Sequence, residues 1–299
     1  MKRIIIISTI IMILLTGCSN AKSDVDGTNK PADNESSVEN VQDETQSQDT
    51  EDTSNNINSD EVKRVENKTI QLDKGYHDYE GNINNNLKIH MSLYQSNDQI
   101  VGSYFYDKER KELQLKGKLD GNTITISEYD ESGKNTGKFQ GTMDANEKVE
   151  GTWTSTDGKK SYPFTLTLTS IINGSTYGKR YAIAISDNRT DQDVEDFVND
   201  IQSYIKEDNR QQLADLVTYP IKVKIDDKYT EIQNKDEFIK NYDKIFYPKY
   251  KEVMSTAYPK YLFANYKGIM FGGNIQNMWI NDVTFNDGSS KLSITSIIN

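Results

Sequence analysis

Every aromatic side chain of this 299-residue chain lies at or beyond Tyr76. Rings supply much of the apolar area that a core buries, so the packed mass has to begin near that point. From Ser19 to about Val65 the chain is dominated by Asp, Glu, Ser, Thr, Asn and Gln, with twelve acidic against four basic side chains. Such a stretch cannot bury enough apolar surface to offset its ordering entropy, and its like charges repel. It is expected to be an extended, unfolded stalk. Removing its −8 and the +2 of Lys2 and Arg3 from the chain's −11 leaves about −5 for the rest. No Lys/Arg stripe interleaves with aromatics there, which argues against a nucleic-acid partner.

Ahead of the stalk, Met1-Lys2-Arg3 is followed by an apolar run from Ile4 to Leu15, broken only by Ser8 and Thr9. The run is too short to span a bilayer and has the layout of an export signal. It closes on Leu15-Thr16-Gly17-Cys18, and Cys18 is the chain's sole cysteine. This ending resembles the lipobox of bacterial lipoproteins. The resemblance implies a signal peptide over residues 1–17, cleavage before Cys18 and a diacylglycerol thioether on Cys18. It also implies a partner, the membrane reached through that lipid, and a place on the extracytoplasmic side of a bacterial cell membrane. Two acyl chains anchor stably where one does not. With one cysteine, an internal disulfide and a cysteine-based zinc cluster are both excluded.

The stretch of about 230 residues beyond the 18–65 linker fits two domains. Residues 66–170 alternate with period two. Leu87, Ile89, Met91 and Leu93 share one face. Further strands are expected at Gln99–Tyr106, Glu112–Leu119, Thr123–Glu128, Gly137–Met143, Glu150–Ser155 and Tyr162–Thr169, with an opening strand near Thr69–Leu72. Asp120-Gly121, Ser132-Gly133 and Asp157-Gly158 supply hairpin chemistry. About eight short strands joined in order predict an antiparallel meander closing into a barrel. Gly137–Thr142, Gly151–Thr154 and Asp157–Lys160 resemble the hairpins of small β-barrels in other bacterial lipoproteins. Phe105, Phe139, Trp153 and Phe164 read as core or barrel lining. His90 reads as solvated, and His77 as a loop residue beside Asp78. Neither has the partners of a zinc centre or a triad.

After a connection at 171–185, the period becomes helical. Val194, Phe197, Val198, Ile201, Tyr204 and Ile205 line one face, with Thr190 or Asp191 as N-cap. The acidic cluster Asp191, Asp193, Glu195 and Asp196 suits a helix N-terminus better than a calcium loop. A short helix follows at Arg210–Val217, then strands Ile221–Ile225 and Tyr229–Ile232 around Asp226-Asp227. A third helix, capped by Asn234, runs through Phe246. The tail offers strands at Tyr261–Ala264, Tyr266–Phe271, Ile275–Asn281 and Lys291–Ile298.

The pieces Phe197–Asp215, Tyr219-Pro220, Asn234–Phe246, Tyr266–Gly273 and Met278–Ile280 resemble NTF2-like (cystatin-like) domains. The resemblance implies an α+β cone with a curved antiparallel sheet over 186–299. NTF2-like enzymes use an Asp/His pair or a Tyr/Asp oxyanion arrangement, and the absence of histidine after His90 excludes the first. The candidate pocket residues are Tyr219, Tyr242, Phe246, Met270, Trp279 and Asp215, with Asp243 as a second carboxylate to test. No metal or cofactor is expected. The leading functional expectation is a non-enzymatic, membrane-tethered module for an envelope protein or small ligand. The alternatives are an NTF2-like enzyme of isomerase or hydrolase type and an inhibitor of an envelope hydrolase such as lysozyme.

Overall fold

The computed structural model describes residues 70–299. The expected signal peptide over residues 1–17, Cys18, the expected 18–65 linker and Thr69 lie outside the described residues, and every described residue falls within one compact unit, Lys63–Asn299. Among the described residues no helix is long and apolar enough to cross a membrane.

Eight consecutive strands form a closed antiparallel barrel. They are β1 Gly75–Ile83, β2 Leu87–Ser96, β3 Gln99–Tyr106, β4 Glu112–Asp120, β5 Thr123–Tyr129, β6 Asn135–Met143, β7 Val149–Ser155 and β8 Ser161–Asn173. Closure is made by β1 on β8, from Gly75 opposite Asn173 to Ile83 opposite Phe164. Alternation turns Ile89, Met91 and Leu93 inward beside Tyr104, Ile126, Phe139 and Phe164, so the barrel is filled rather than hollow. Gly141 on β6 faces Gly151 on β7, where the backbones approach too closely for side chains. A Cβ on Gly151 would stand 2.1 Å from the Gln140 carbonyl oxygen, and one on Gly141 2.2 Å from that of Glu150.

Three successive hairpins share one device. Asp130, Asp144 and Asp157 each accept from the backbone N–H two residues on, and the first two also from the one four residues on. Hydroxyl bonds from Ser132 and Ser155, followed by these backbone bonds, hold the Asp130 and Asp157 carboxyls below the usual carboxylate range. The left-handed residue that ends each turn is Gly133, Glu147 and Gly158 in turn.

The structure departs from several of the expectations. The opening strand is Gly75–Ile83, while Ile70–Leu72 is irregular and packs against the barrel core, with Ile70 N–H bonded to the Gly121 carbonyl. His77 is in β1 and fully buried, not in a loop. Leu87 is exposed at its strand's end. Phe105 turns outward, away from the barrel core, and His90 stacks on it at 4.9 Å instead of standing free in solvent.

The α+β part has its own core. Helix α1 spans Asp191–Lys206, capped by Thr190 in a reciprocal box with Asp193. Helix α2 is Arg210–Asp215, shorter than expected, because Val217 instead bridges in parallel to Ile294. Strands β9 Ile221–Ile225 and β10 Lys228–Ile232 form a hairpin whose Asp226 and Asp227 both take positive φ. The expected third helix is broken into α3 Lys235–Lys240 and α4 Tyr242–Ile245 around Asn241. A helix that sequence reading missed, α5, runs Pro248–Thr256. Strands β11 Phe263–Asn265, β12 Gly268–Gly272, β13 Asn277–Thr284 and β14 Ser290–Ile298 make a four-stranded antiparallel meander. Ile269, Phe271, Met278, Ile280 and Ile294 fill its helix side. Phe263, Met270 and Trp279 are cross-strand neighbours on the opposite face, and all three are half-buried.

Candidate functional site

The six pocket residues expected from sequence do not converge. Tyr242 and Phe246 are buried in the helix-side core and stack at 4.8 Å. Arg210 and Lys251 lie over the Tyr242 ring at 4.6 and 4.9 Å. The Tyr242 hydroxyl is buried near the Asp208 carboxylate without the geometry of a hydrogen bond, and burial raises its pKa. Tyr219 donates to the Ala214 carbonyl at 3.0 Å. Asp215 and Asp243 are exposed at the surface and paired with Lys235 and Arg210. Met270 and Trp279 point to the other side of the sheet. The helix side of the sheet therefore holds a packed core, and the open surface lies on its far side.

That far side meets the barrel. The segment from Thr256 to Leu262 runs along the barrel wall as a strap, and nearly every residue in it makes a bond. Arg110 donates to the Thr256 carbonyl at 2.6 Å, and the Tyr258 ring stacks on Phe105 at 3.8 Å. Tyr261 holds a positive φ of 51°, a strained setting for a bulky residue, and its hydroxyl bonds Ser103 at 2.5 Å. Beside the strap, Arg180 is buried with its guanidinium forked onto Asp78. It also reaches Ser92 at 3.1 Å and the Leu262 carbonyl at 3.1 Å. Ser92 and Ser170 donate to the same carboxylate at 2.7 and 2.9 Å. The rings of Tyr76, Tyr181 and Tyr261 stand around the guanidinium at 5.2, 6.0 and 5.8 Å.

Lys260 pins the two parts electrostatically, 2.8 Å from Glu112 of the barrel and 3.4 Å from Glu195 of α1. Burial raises the Glu195 carboxyl above its ordinary value, and Lys260 opposes that rise. Lys260→Met removes the opposition. Because Glu195 then titrates still higher when folded, the variant is stabilised as pH falls and penalised once Glu195 ionises. The expected stability deficit is about 1–2 kcal/mol at neutral pH, between surface and buried pairs, closing as pH drops toward about 4.3. Urea unfolding of both proteins across that range checks it; a deficit that grows on acidification would contradict the assignment.

Between strap, sheet and barrel wall lies an open groove of about 580 Å³. Phe263, Met270 and Leu262 form its apolar side, and Glu80, His90, Thr169 and Ser170 its barrel side, with Asn274 at the rim. Sequence reading found Met270 but missed Phe263, Tyr258, Lys260 and Arg180. The available signals were loops dense in rings and cations, Tyr177–Tyr181 and Tyr258–Tyr261.

Inside the barrel, two polar clusters sit at opposite ends. Glu128, facing inward after Ile124 and Ile126, accepts from Tyr104 at 2.5 Å, Trp153 at 2.8 Å and Thr136 at 2.5 Å. Burial and the Glu128 charge drive the Tyr104 phenol pKa far upward. At the other end the His77 ring is held at both nitrogens, by Glu147 at 2.6 Å and by the Asp73 carbonyl at 2.9 Å. Glu147, which also accepts from Tyr79 at 3.0 Å, is the left-handed hairpin residue that stands where the sister turns use glycine. Among the described residues, no group of three or more potential metal ligands is assembled.

No family model matches the chain, and no curated protein matches it.

Proposed function

We propose that this protein is a bacterial lipoprotein, carried on the extracytoplasmic side of the cell membrane by a lipid on Cys18, and that its folded part is a non-enzymatic binding module. The observation that carries the second half is the groove of about 580 Å³, within the ~300–1,000 Å³ typical of ligand sites. Its walls come from two separately cored parts that the strap and the buried Arg180–Asp78 pair hold in fixed register. The enzyme alternative rests on a phenol and a carboxylate sharing the cone pocket, whereas Tyr242 is in the core and Asp215 is on the surface. On this reading the barrel, whose last strand ends at Asn173, is followed by a connection to about residue 185 and an NTF2-like cone over 186–299. The order of helices before a four-stranded antiparallel meander supports the last assignment.

Two measurements test the proposal. Mass spectrometry of the protein from a bacterial host is expected to find a diacylglyceryl-modified Cys18 as the new N-terminus. Cys18→Ala is expected to leave the membrane fraction. An intact Met1, or a variant that stays on the membrane, overturns the anchor. Turnover on a broad hydrolase and isomerase panel overturns the non-enzymatic reading.

A further inference from the structure

The charges in the groove decide what kind of ligand it accepts. Four ionisable side chains line it besides tyrosines: Asp78, Glu80, His90 and Lys260. Each already bonds a partner on the protein. Asp78 is forked by Arg180, Glu80 lies 3.2 Å from Lys88, His90 3.0 Å from Asp107, and Lys260 2.8 Å from Glu112. An ionic ligand would have to break one of these pairs, and the cost is greatest for the buried Asp78. The groove therefore favours a ligand without net charge.

Its surface is nevertheless far from purely apolar. Phe263, Met270 and Trp279 form one cross-strand row, with the Phe263 and Trp279 rings edge to face at 6.5 Å. Ser296 continues the row on β14. Across from this row stand two hydroxyls and a carboxylate, Thr169, Ser170 and Glu80, with the exposed amide of Asn274 at the rim. The Ser170 and Thr169 hydroxyls spend their protons on Asp78 and keep lone pairs to accept with. A hydrocarbon or acyl chain would cover those groups and their free lone pairs without offering a hydrogen bond. A pyranose unit has the matching anatomy, with an apolar C–H face for the rings and a rim of hydroxyls that both donate and accept. The row extends past the groove to Trp279, which suits a chain of sugars over a single one.

We propose that the groove binds a neutral oligosaccharide, laid with its C–H faces on Phe263, Met270 and Trp279 and its hydroxyls toward Ser170, Thr169 and Asn274. This rests on the binding-module reading above and names the ligand class. The test is calorimetric titration of the full-length protein in detergent with two uncharged probes, tetra-N-acetylchitotetraose and cellotetraose, beside a capped neutral tetrapeptide. At least one tetrasaccharide is expected to bind, with Kd unchanged between about 0.05 and 0.5 M salt. Phe263→Ala and Trp279→Ala are each expected to weaken it about tenfold, or 1.4 kcal/mol. Phe263→Tyr, which keeps the platform, is expected to bind as the parent does and shows that the losses are not failures of folding. Binding of the tetrapeptide alone, or a Kd that tracks salt, overturns the glycan assignment and leaves the module intact. Silence from all three probes overturns both. Saccharide binding unaffected by either alanine variant overturns this groove as the site.

Discussion

Arg180→Met is expected to lower the unfolding free energy by about 3–5 kcal/mol, the cost of leaving one partner of a buried ion pair alone. The carboxylate it abandons, Asp78, is 7% exposed. Ser92 and Ser170 remain to bond it, but no second cation is within reach of it, since Asp78 has only Arg180 as an ion-pair partner among the described residues. The same change strips the Leu262 carbonyl of its donor and removes a cation from between three tyrosine rings. Urea titration followed by both far-UV dichroism and tryptophan emission reads the effect. Removing both charges as Asp78→Leu with Arg180→Met is expected to recover much of the loss, because an apolar pair of similar volume has no uncompensated charge. A single variant within 0.5 kcal/mol of the parent would mean that the clasp contributes nothing.

Glu128→Leu is expected to cost about 3 kcal/mol. It leaves the Tyr104 hydroxyl, the Trp153 indole N–H and the Thr136 hydroxyl facing an apolar side chain, and each unsatisfied buried donor costs roughly 1–3 kcal/mol before the neighbours relax. Glu128→Gln keeps one acceptor oxygen and is expected to cost less than half as much. Thermal unfolding gives the order, and the near-ultraviolet dichroism of Trp153 reports whether the barrel mouth has loosened. Equal losses for Leu and Gln would show that volume rather than hydrogen bonding governs the position.

Local chemistry made most of the barrel legible. Period-two alternation placed β2 to β7 within a residue or two and β8 in part, and Asp-Gly pairs marked turns because the aspartate and the left-handed residue act within five residues of each other. Thr190 was readable as a cap for the same reason, its partner Asp193 lying three residues on. What failed to show was whatever depends on a distant partner. Phe105 looked like barrel lining because nothing near it in sequence announces Tyr258, 153 residues later, which covers it from outside. Ser92 and Tyr94 sit on the nominally wet face of β2 yet are buried, since Arg180, Tyr76 and Tyr177 close over them. Helix α5 has proline at its first turn, no side-chain cap and only two buried residues, too thin a stripe to signal a helix. The groove shares that fate, because its barrel wall ends at Ser170 and its other wall begins at Ala257, with all the helices and the β9–β10 hairpin between them.

The barrel's closing seam has a mechanical consequence. The chain comes in at Gly75 and goes out at Asn173, which are paired neighbours at one rim. Tension drawing the residues before Gly75 away from those after Asn173 would peel β1 from β8 rung by rung, the weakest way to load antiparallel strands. Ser175, Gly178 and Arg180, just past the exit, stitch back to Tyr76 and Asp78 on β1. A pull must snap these stitches before the first rung feels any force, so the zipper is locked at the end where it would otherwise open.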